Sequence, residues 1–143
     1  MIIRKMQPGD VNEVYLLGSQ ENRFDVSSRT CGFWSIEQLT AWVENDNDVL
    51  LVAEEEGRVA GYALSQYHAP TKKAVFENLQ VTKEFSNRGI GRDLTLELIR
   101  GLSKKGAKYI CGVFKEDNKA IQSVLEKNGF EVGKRMRWID YSI

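Results

Sequence analysis

The chain has 143 residues, 42% hydrophobic and 28% charged, a composition typical of one globular domain with its own core. Basic and acidic residues both number 20, so the formal net charge of zero gives no reason to expect a nucleic acid or an anionic membrane as partner. Two cysteines and one histidine are too few for a typical zinc site or a disulfide framework. With no apolar run long enough for a membrane span, we expect a single cytoplasmic domain, residues 1–143, without metal.

The first part of the chain is predicted to contain one short strand, at residues 2–6, and two helices. Asp10 followed three residues later by Glu13 predicts a capping box at the start of the first helix. Ser35 and Gln38 predict the same arrangement for the second helix. The polar stretch between the two helices is predicted to be a loop.

The rest of the chain alternates predicted strands and helices. In order, these are strands at 49–54, 58–67 and 74–81, a helix at 90–105, a strand at 109–114, a helix at 118–128 and a strand at 131–143. Consecutive hairpin strands are antiparallel, whereas a strand–helix–strand unit gives a parallel pair. The sequence therefore predicts an α/β fold with a mixed, mostly antiparallel sheet and helices on both faces.

Two glycines, Gly89 and Gly91, lie where a predicted strand leads into the long helix. The first amide groups of a helix have no partners inside it, and the helix dipole favours negative charge there, so such a turn binds phosphate readily. Arg88 and Arg92 would add charge-assisted contacts. The simpler interpretation is a glycine turn with solvated arginines. A dinucleotide fingerprint fits poorly because its third glycine position is Leu94, and no Gly-Lys-Ser/Thr motif indicates a P-loop.

The order of the elements and the Arg88-Gly89-Ile90-Gly91 turn resemble the GNAT acetyltransferases, whose pattern after the fourth strand is Arg/Gln-x-x-Gly-x-Gly/Ala. The two glycines match, while the Arg/Gln position is Ser86, so a neighbouring arginine would have to supply the positive charge. The resemblance assigns binding of the CoA diphosphate to Ser86, Asn87, Arg88, Gly89, Ile90, Gly91 and Arg92.

A second block, from Asn118 to Gly129-Phe130, also resembles the family. The resemblance implies that Asn118 contacts the CoA arm; the alternative is a simple helix cap. It also implies that strands four and five splay apart around the pantetheine arm. Backbone groups of Leu79 and Val81 would pair with that arm, and an N–H near Val81 would polarise the thioester carbonyl.

Attack of an amine on a thioester needs the neutral amine, and general-base catalysis contributes about 10²- to 10⁴-fold. Glu77 is the candidate base, because strict alternation would place its carboxylate on an apolar strand face with Val75, Leu79 and Val81. An ion pair or an exposed edge is the alternative explanation for Glu77.

No single residue stands out as the acid that would protonate the leaving thiolate. The position at which many GNAT members carry a tyrosine is Leu125. Tyr67, Tyr109 and Tyr141 remain open as hydroxyl donors, or none is needed because a thiolate is a good leaving group. His68, in a predicted loop, is expected to be solvated.

Residues 22–34 are predicted to determine acceptor specificity, because long loops often carry function. Within them Arg23, Asp25 and Arg29 would contact a charged acceptor or lie solvated at the surface. Aromatic residues near predicted loops and strand ends would line an acceptor pocket or belong to the core; they are Phe33, Trp34, Trp42, Tyr67 and Trp138. After Phe130 the chain is shorter than is usual for the family, so we hold a homodimer, with the last strand completed by a partner, as a hypothesis.

Taken together, the motifs predict an N-acetyltransferase that moves the acetyl group of acetyl-CoA to a primary amine of a small molecule or a peptide. A CoA- or acyl-CoA-binding sensor without catalytic activity is the alternative that the departures at Ser86 and Leu125 leave open. An interaction domain that binds no CoA is the third interpretation.

Overall fold

The computed structural model describes residues 1–20 and 32–143. Within them a five-stranded sheet has its strands in chain order, with the first four antiparallel and the last pair parallel, as the sequence predicts. The strands are β1 (Ile2–Lys5), β2 (Val49–Glu55), β3 (Arg58–His68), β4 (Lys73–Val81) and β5 (Tyr109–Gly112). The helices are α1 (Val11–Ser19), α2 (Ile36–Val43), α3 (Ile90–Lys104) and α4 (Lys119–Lys127).

Each face of the sheet is covered by a pair of helices. Helices α1 and α2 pack on the face that carries Tyr62 and Leu64 of β3. Helix α3 packs on the opposite face, and α4 lies at the margin of the same core. The i, i+4 repeat of α3 forms a continuous apolar stripe that is almost fully buried, and its members are Ile90, Leu94, Leu98 and Leu102.

Aromatic side chains close the face under α1. The ring of Phe33 lies against Gly18, where an added Cβ would be 2.3 Å from the ring's Cζ, so α1 can approach only because residue 18 has no side chain. Phe33 also lies 5.2 Å from the Trp34 ring and 5.9 Å from that of Tyr62. Phe33 and Trp34 therefore belong to the core, which was one of the two interpretations that the sequence allowed, whereas Trp138 is exposed.

The predicted capping box of α1 is wrong, whereas that of α2 is confirmed. Asp10 does not cap α1, because its carboxylate accepts hydrogen bonds from the Arg4 guanidinium at 2.7 and 2.8 Å and from the Gln7 N–H at 2.7 Å. Glu13 accepts instead from the backbone N–H of Val59, 2.9 Å away. At α2, the Ser35 hydroxyl and the Gln38 carboxamide accept each other's backbone N–H groups, as predicted.

The predicted last strand is wrong. Residues 131–143 form no regular element, and β5 ends at Gly112 rather than at residue 114. A strand is stable only when its backbone groups are paired, and within the described ranges β5 pairs with β4 alone. An ion pair between Arg135 and Glu116, 2.6 Å apart, fixes this segment beyond the end of β5.

A helix that crosses a membrane must be long and almost entirely apolar. In the part of the chain that the structure describes, no helix is both long and apolar enough to cross a membrane.

Candidate functional site

The parallel pairing of β4 with β5 is short and leaves a gap. It joins residues Lys73–Phe76 to Tyr109–Gly112 and stops there, while β4 runs on through residues 77–81. Beyond Phe76 the edge of β4 that faces β5 therefore has no neighbouring strand. This open edge leads directly into the glycine turn before α3.

The backbone of β4 presents hydrogen-bonding groups to this gap. The N–H of Thr82 donates to the carbonyl of Ala60, 2.9 Å away, so residue 82 turns its backbone groups toward β3. Successive residues of a strand turn theirs to opposite edges. Leu79 and Val81 therefore direct their N–H and C=O groups into the gap, where an extended ligand could pair with them as a strand does.

Glu77 is the extra residue of a β-bulge in β4. Phe76 pairs with Ser65 and Asn78 with Leu64, so Glu77 has no opposite residue on β3. The expected alternation is wrong here: Leu79 shares its core with Phe76, whereas Val75 lies on the other face. The four residues 75, 77, 79 and 81 therefore do not share one continuous face.

The surroundings of Glu77 make its carboxylate more basic than usual. Burial, reinforced by the negative charge of Asp48, raises the pKa of Glu77 above its ordinary value. Within the described residues Glu77 has no ion pair or hydrogen bond, which excludes the ion-pair alternative for this part of the chain. Asp48 is held by the indole N–H of Trp42 and the backbone N–H of Tyr67, both at 2.8 Å.

A cavity of about 380 Å³ lies beside Asp48, on the α2 side of the sheet. Its wall includes Asp48, Gln66, His68, Lys73 and Val75. Sequence reasoning missed Asp48, because it lies in the polar run Asn45-Asp46-Asn47-Asp48, which resembles any surface turn. Only the long-range contact with Tyr67 distinguishes it.

The glycine turn has the geometry that phosphate binding requires. Asn87 and Gly89 have φ values of 62° and 84°, and the second is strained for any residue but glycine. The first bond inside α3 runs from the Asp93 N–H to the Gly89 carbonyl, so the N–H groups of residues 90–92 have no partner within the helix. They point out of the helix end, next to the open edge of β4.

Two side chains that were predicted to bind phosphate, Ser86 and Arg88, make contacts within the turn itself. The Ser86 hydroxyl donates to the Lys83 carbonyl, 2.8 Å away, so it stabilises the turn itself. The Arg88 guanidinium lies over the buried Phe85 ring, 5.2 Å from its centroid. Arg92 is exposed on the first turn of α3. Both arginines remain beside the helix end, where they can replace the cation missing at Ser86.

Gly91 lies at the floor of the gap. An added Cβ would contact the side chains of Leu79 and Val81 at 3.7 Å and that of Val124 at 3.8 Å. A long side chain at this position would therefore fill the space between β4 and α4.

Two more residues of the family pattern lie at helix α4: Asn118 at its start and Leu125 within it. The Asn118 carboxamide oxygen accepts from the N–H of Ile121 at 3.2 Å, so Asn118 is a helix cap, and its contact with a CoA arm stays a prediction. Leu125 packs against the α3 core and offers no proton. Of the open tyrosines, Tyr67 is buried while Tyr109 and Tyr141 are exposed.

A larger cavity, of about 570 Å³, separates α1 from the end of β4. It contains two polar groups that the sequence did not single out. The Gln80 side chain is 7% exposed, and neither it nor the buried Thr82 hydroxyl has a hydrogen-bond partner among residues 1–20 and 32–143. The cavity touches the glycine turn at Ser86 without belonging to the gap.

The remaining sequence predictions concern the polar loop, His68 and a metal site. Arg23, Asp25 and Arg29 lie outside the described residues. His68 is exposed, with its Nδ1 2.8 Å from the Thr71 hydroxyl oxygen. Residues 1–20 and 32–143 contain no group of three His, Cys, Asp or Glu side chains placed to hold a metal ion.

Comparisons with known proteins agree with this geometry. A model of the acetyltransferase (GNAT) family matches residues 15–130. An acetyltransferase of Pectobacterium atrosepticum is 31% identical over 100 residues, which cover 66% of this chain and 70% of that protein. The crystal structure of a ribosomal-protein-alanine N-acetyltransferase from Brucella melitensis is 25% identical, with a TM-score of 0.74 over 92% of this chain and 85% of the other. An aminoglycoside N-acetyltransferase AAC(6')-Iy in complex with CoA shares the fold at 18% identity, with a TM-score of 0.79 over 99% of this chain and all of the other.

Proposed function

We propose, from the premise that this chain belongs to the acetyltransferase (GNAT) family, that it transfers the acetyl group of acetyl-CoA to a primary amine. The observation that carries the proposal is one continuous surface, formed by the open edge of β4 and the unpaired amide groups at the start of α3. An extended arm that ends in a diphosphate matches both halves of that surface. The named relatives support the class of reaction, and the CoA complex of one neighbour supports the carrier.

The carrier is bound by three parts of the chain. The N–H groups of residues 90–92 and the guanidinium groups of Arg88 and Arg92 bind the diphosphate. The backbone groups of Leu79 and Val81 pair with the amides of the pantetheine arm. This binding leaves the thioester in the gap near the bulge.

Transfer then needs a proton acceptor and a polarised carbonyl. A gap-facing N–H near Val81, that of Leu79 beside the bulge, donates to the thioester oxygen and stabilises the negative charge that develops on it. Glu77 takes the proton from the amine, directly or through one water, and the amine nitrogen forms its bond to the acetyl carbon. The C–S bond breaks and CoA leaves as a thiolate, which needs little assistance from an acid because thiols have a pKa of about 8.5.

The acceptor is a primary amine on a small molecule or a peptide, and it approaches the thioester past Glu77. The proteins that share this fold include an aminoglycoside N-acetyltransferase and a ribosomal-protein-alanine N-acetyltransferase, so both kinds of acceptor occur among them. We propose a cytoplasmic location for the protein. We propose no nucleic acid and no membrane as a partner.

A thiol-release assay tests the proposal. Saturating acetyl-CoA is combined with polyamines, amino acids, aminoglycosides and peptides, and free CoA thiol is measured. Release that depends on both enzyme and one class of amine is the expected result. If no amine releases thiol although CoA raises the melting temperature, the chain is a CoA-binding sensor, which the engaged Ser86 hydroxyl and the apolar Leu125 would favour.

A further inference from the structure

The larger cavity, between α1 and the end of β4, lies on a different face of the sheet from the α3 core. Gln80, in its wall, is opposite Tyr62 in the pairing of β3 with β4, and Tyr62 is buried on the face that α1 and α2 cover. The side chains of Leu79 and Val81 pack instead with the core under α3. The cavity is therefore separate from the gap to which we assign the carrier.

Two polar groups in this cavity have no partner. The Gln80 carboxamide belongs to a side chain that is 7% exposed, and neither it nor the buried Thr82 hydroxyl forms a hydrogen bond within residues 1–20 and 32–143. Buried carboxamides and hydroxyls are almost always hydrogen-bonded in folded proteins, because an unpaired group costs stability. Residues 80 and 82 direct their side chains to the same face. The two groups thus point to an occupant that donates and accepts hydrogen bonds.

The wall of the cavity also carries one carboxylate and one ammonium group. Glu13 accepts the N–H of Val59 with its Oε2, 2.9 Å away, and its Oε1 accepts no hydrogen bond from the described residues. Lys83 forms no ion pair within the same ranges. These two are the charged residues of the described wall. A molecule with one positive and one negative group matches it, whereas a singly charged molecule leaves one of the two unmatched.

Apolar side chains complete the wall and set the size of the occupant. Leu16, which is 58% exposed, and Leu17 belong to α1, and Val59 faces them from β3. The volume of about 570 Å³ lies within the range of small-molecule sites. Water molecules could pair with Gln80 and Thr82, but they would leave the apolar surface wet. A ligand with a short carbon chain covers that surface as well.

We propose that this cavity binds a zwitterionic molecule of amino-acid size that carries a carboxamide or hydroxyl group. Its ammonium group donates to Oε1 of Glu13, and its carboxylate accepts from Nζ of Lys83. Its neutral polar group pairs with Gln80 and Thr82. A carboxamide fits best, because two carboxamides can exchange two N–H···O hydrogen bonds.

This ligand is not the amine that receives the acetyl group. Gly61 pairs with Val81, so Val59, which Glu13 contacts, lies two residues beyond that pair and further from Glu77. The ammonium site is therefore about 20 Å along the strands from the proposed base. The proposal goes beyond the acetyltransferase function and does not depend on it, because it rests on the cavity alone.

Titration calorimetry with L-glutamine tests the site. For the wild type we expect a dissociation constant of about 1 mM or lower, unchanged when CoA is saturating. Glutaramic acid, which lacks the ammonium group, and 4-aminobutanamide, which lacks the carboxylate, should each bind at least about tenfold more weakly. Absence of binding at about 10 mM L-glutamine, or competition by CoA, overturns the proposal.

Variants of the wall separate binding from a structural role. Gln80→Leu should abolish the binding of L-glutamine and raise the melting temperature, because leucine has a similar volume and leaves no polar group unpaired. Glu13→Gln keeps an acceptor for the Val59 N–H but loses the charge, so its affinity should fall at least about tenfold. Glu44→Gln, at the exposed end of α2, is the matched control. A lower melting temperature in Gln80→Leu, or equal affinities in Glu13→Gln and Glu44→Gln, would contradict the assignment.

The thiol-release assay distinguishes this site from the proposed active site. L-Glutamine as the sole amine should release no thiol from acetyl-CoA, and Gln80→Leu should keep the release that the preferred amine causes. Release with L-glutamine that Gln80→Leu abolishes would show that the cavity holds the acceptor, and would overturn a separate site. If no amine releases thiol, the calorimetric result still decides whether the cavity binds its ligand.

Discussion

Residues 1–20 and 32–102 are packed very differently from residues 103–143, although the candidate site draws on both regions. The first region contains every buried residue of the described chain, including the apolar stripe of α3. In the second region the apolar side chains of α4, such as Val124 and Leu125, are only half-buried. The comparison teaches that Glu77 and the glycine turn stand on the well-packed region, whereas β5, the far wall of the gap, belongs to the region without buried residues.

The largest effect is expected at Glu77, in the well-packed region. Glu77→Gln should lower kcat/KM at neutral pH by about 10²- to 10⁴-fold, with a smaller loss at high pH, where the amine is already neutral. Because its raised pKa means that the folded protein favours the protonated carboxyl, the ionised form costs stability above that pKa. The glutamine variant should therefore melt higher than wild type at pH 7 and equally at low pH.

Glu126→Gln, on the exposed side of α4, is the matched control and should change neither rate nor melting temperature. A loss of rate at Glu77→Gln that is the same at every pH would mean that Glu77 is not the base.

Gly91→Glu is expected to have the next largest effect, because it places bulk and negative charge at the floor of the gap. Loss of even one charge-assisted contact to phosphate, worth about 1.5–3 kcal/mol, weakens binding at least tenfold, and we expect about 100-fold or more. Titration calorimetry with CoA measures it. Gly9→Glu, where an added Cβ meets nothing within 4 Å, is the control. Equal affinities in the two variants would remove the phosphate site from this turn.

Two leucines test the difference in packing directly. Leu98→Ala should lower the free energy of unfolding by about 2–5 kcal/mol, because Leu98 is fully buried in α3. Leu125→Ala, on α4, should cost about 1 kcal/mol or less, since its side chain already meets solvent. Urea unfolding followed by circular dichroism gives both values. Similar losses would show that α4 is better packed in solution than the single chain indicates.

The smallest effect is expected at Asn118. Asn118→Ala removes a helix cap and should cost about 1 kcal/mol of stability. Asn118→Asp keeps an acceptor oxygen for the Ile121 N–H but loses the carboxamide N–H groups. If Asn118 also contacts the CoA arm, the aspartate variant should keep its stability and bind CoA several-fold more weakly. Unchanged CoA affinity would limit Asn118 to capping.

Patterns that repeat locally were predicted well from the sequence. The i, i+4 spacing of the α3 stripe and the Ser35–Gln38 box each depend on residues a few positions apart, and both are present. The glycine turn was found for the same reason, since two glycines before an apolar helix are visible without a structure.

Features that depend on distant partners were not predictable. Nothing near Asp10 in the sequence shows that Arg4, which also binds Glu54 at 2.8 Å, takes its carboxylate away from the helix. The bulge at Glu77 arises from the register with β3. Burial raises the pKa of Glu77, and the negative charge that reinforces this comes from Asp48, the residue before β2. The prediction of a last strand at residues 131–143 was wrong because a sequence pattern indicates only that a segment can form a strand. It does not show that a neighbouring strand exists to pair with it.

The bulge also predicts the effect of deleting Glu77. Phe76 and Asn78 would alternate normally if residue 77 were simply deleted, and every side chain from Ala74 to Val81 would keep its present face. The shortened strand should therefore complete its ladder with β3 and fold as before, without the proposed base. The residue to which we assign the proton transfer is one that the pairing of the sheet does not need.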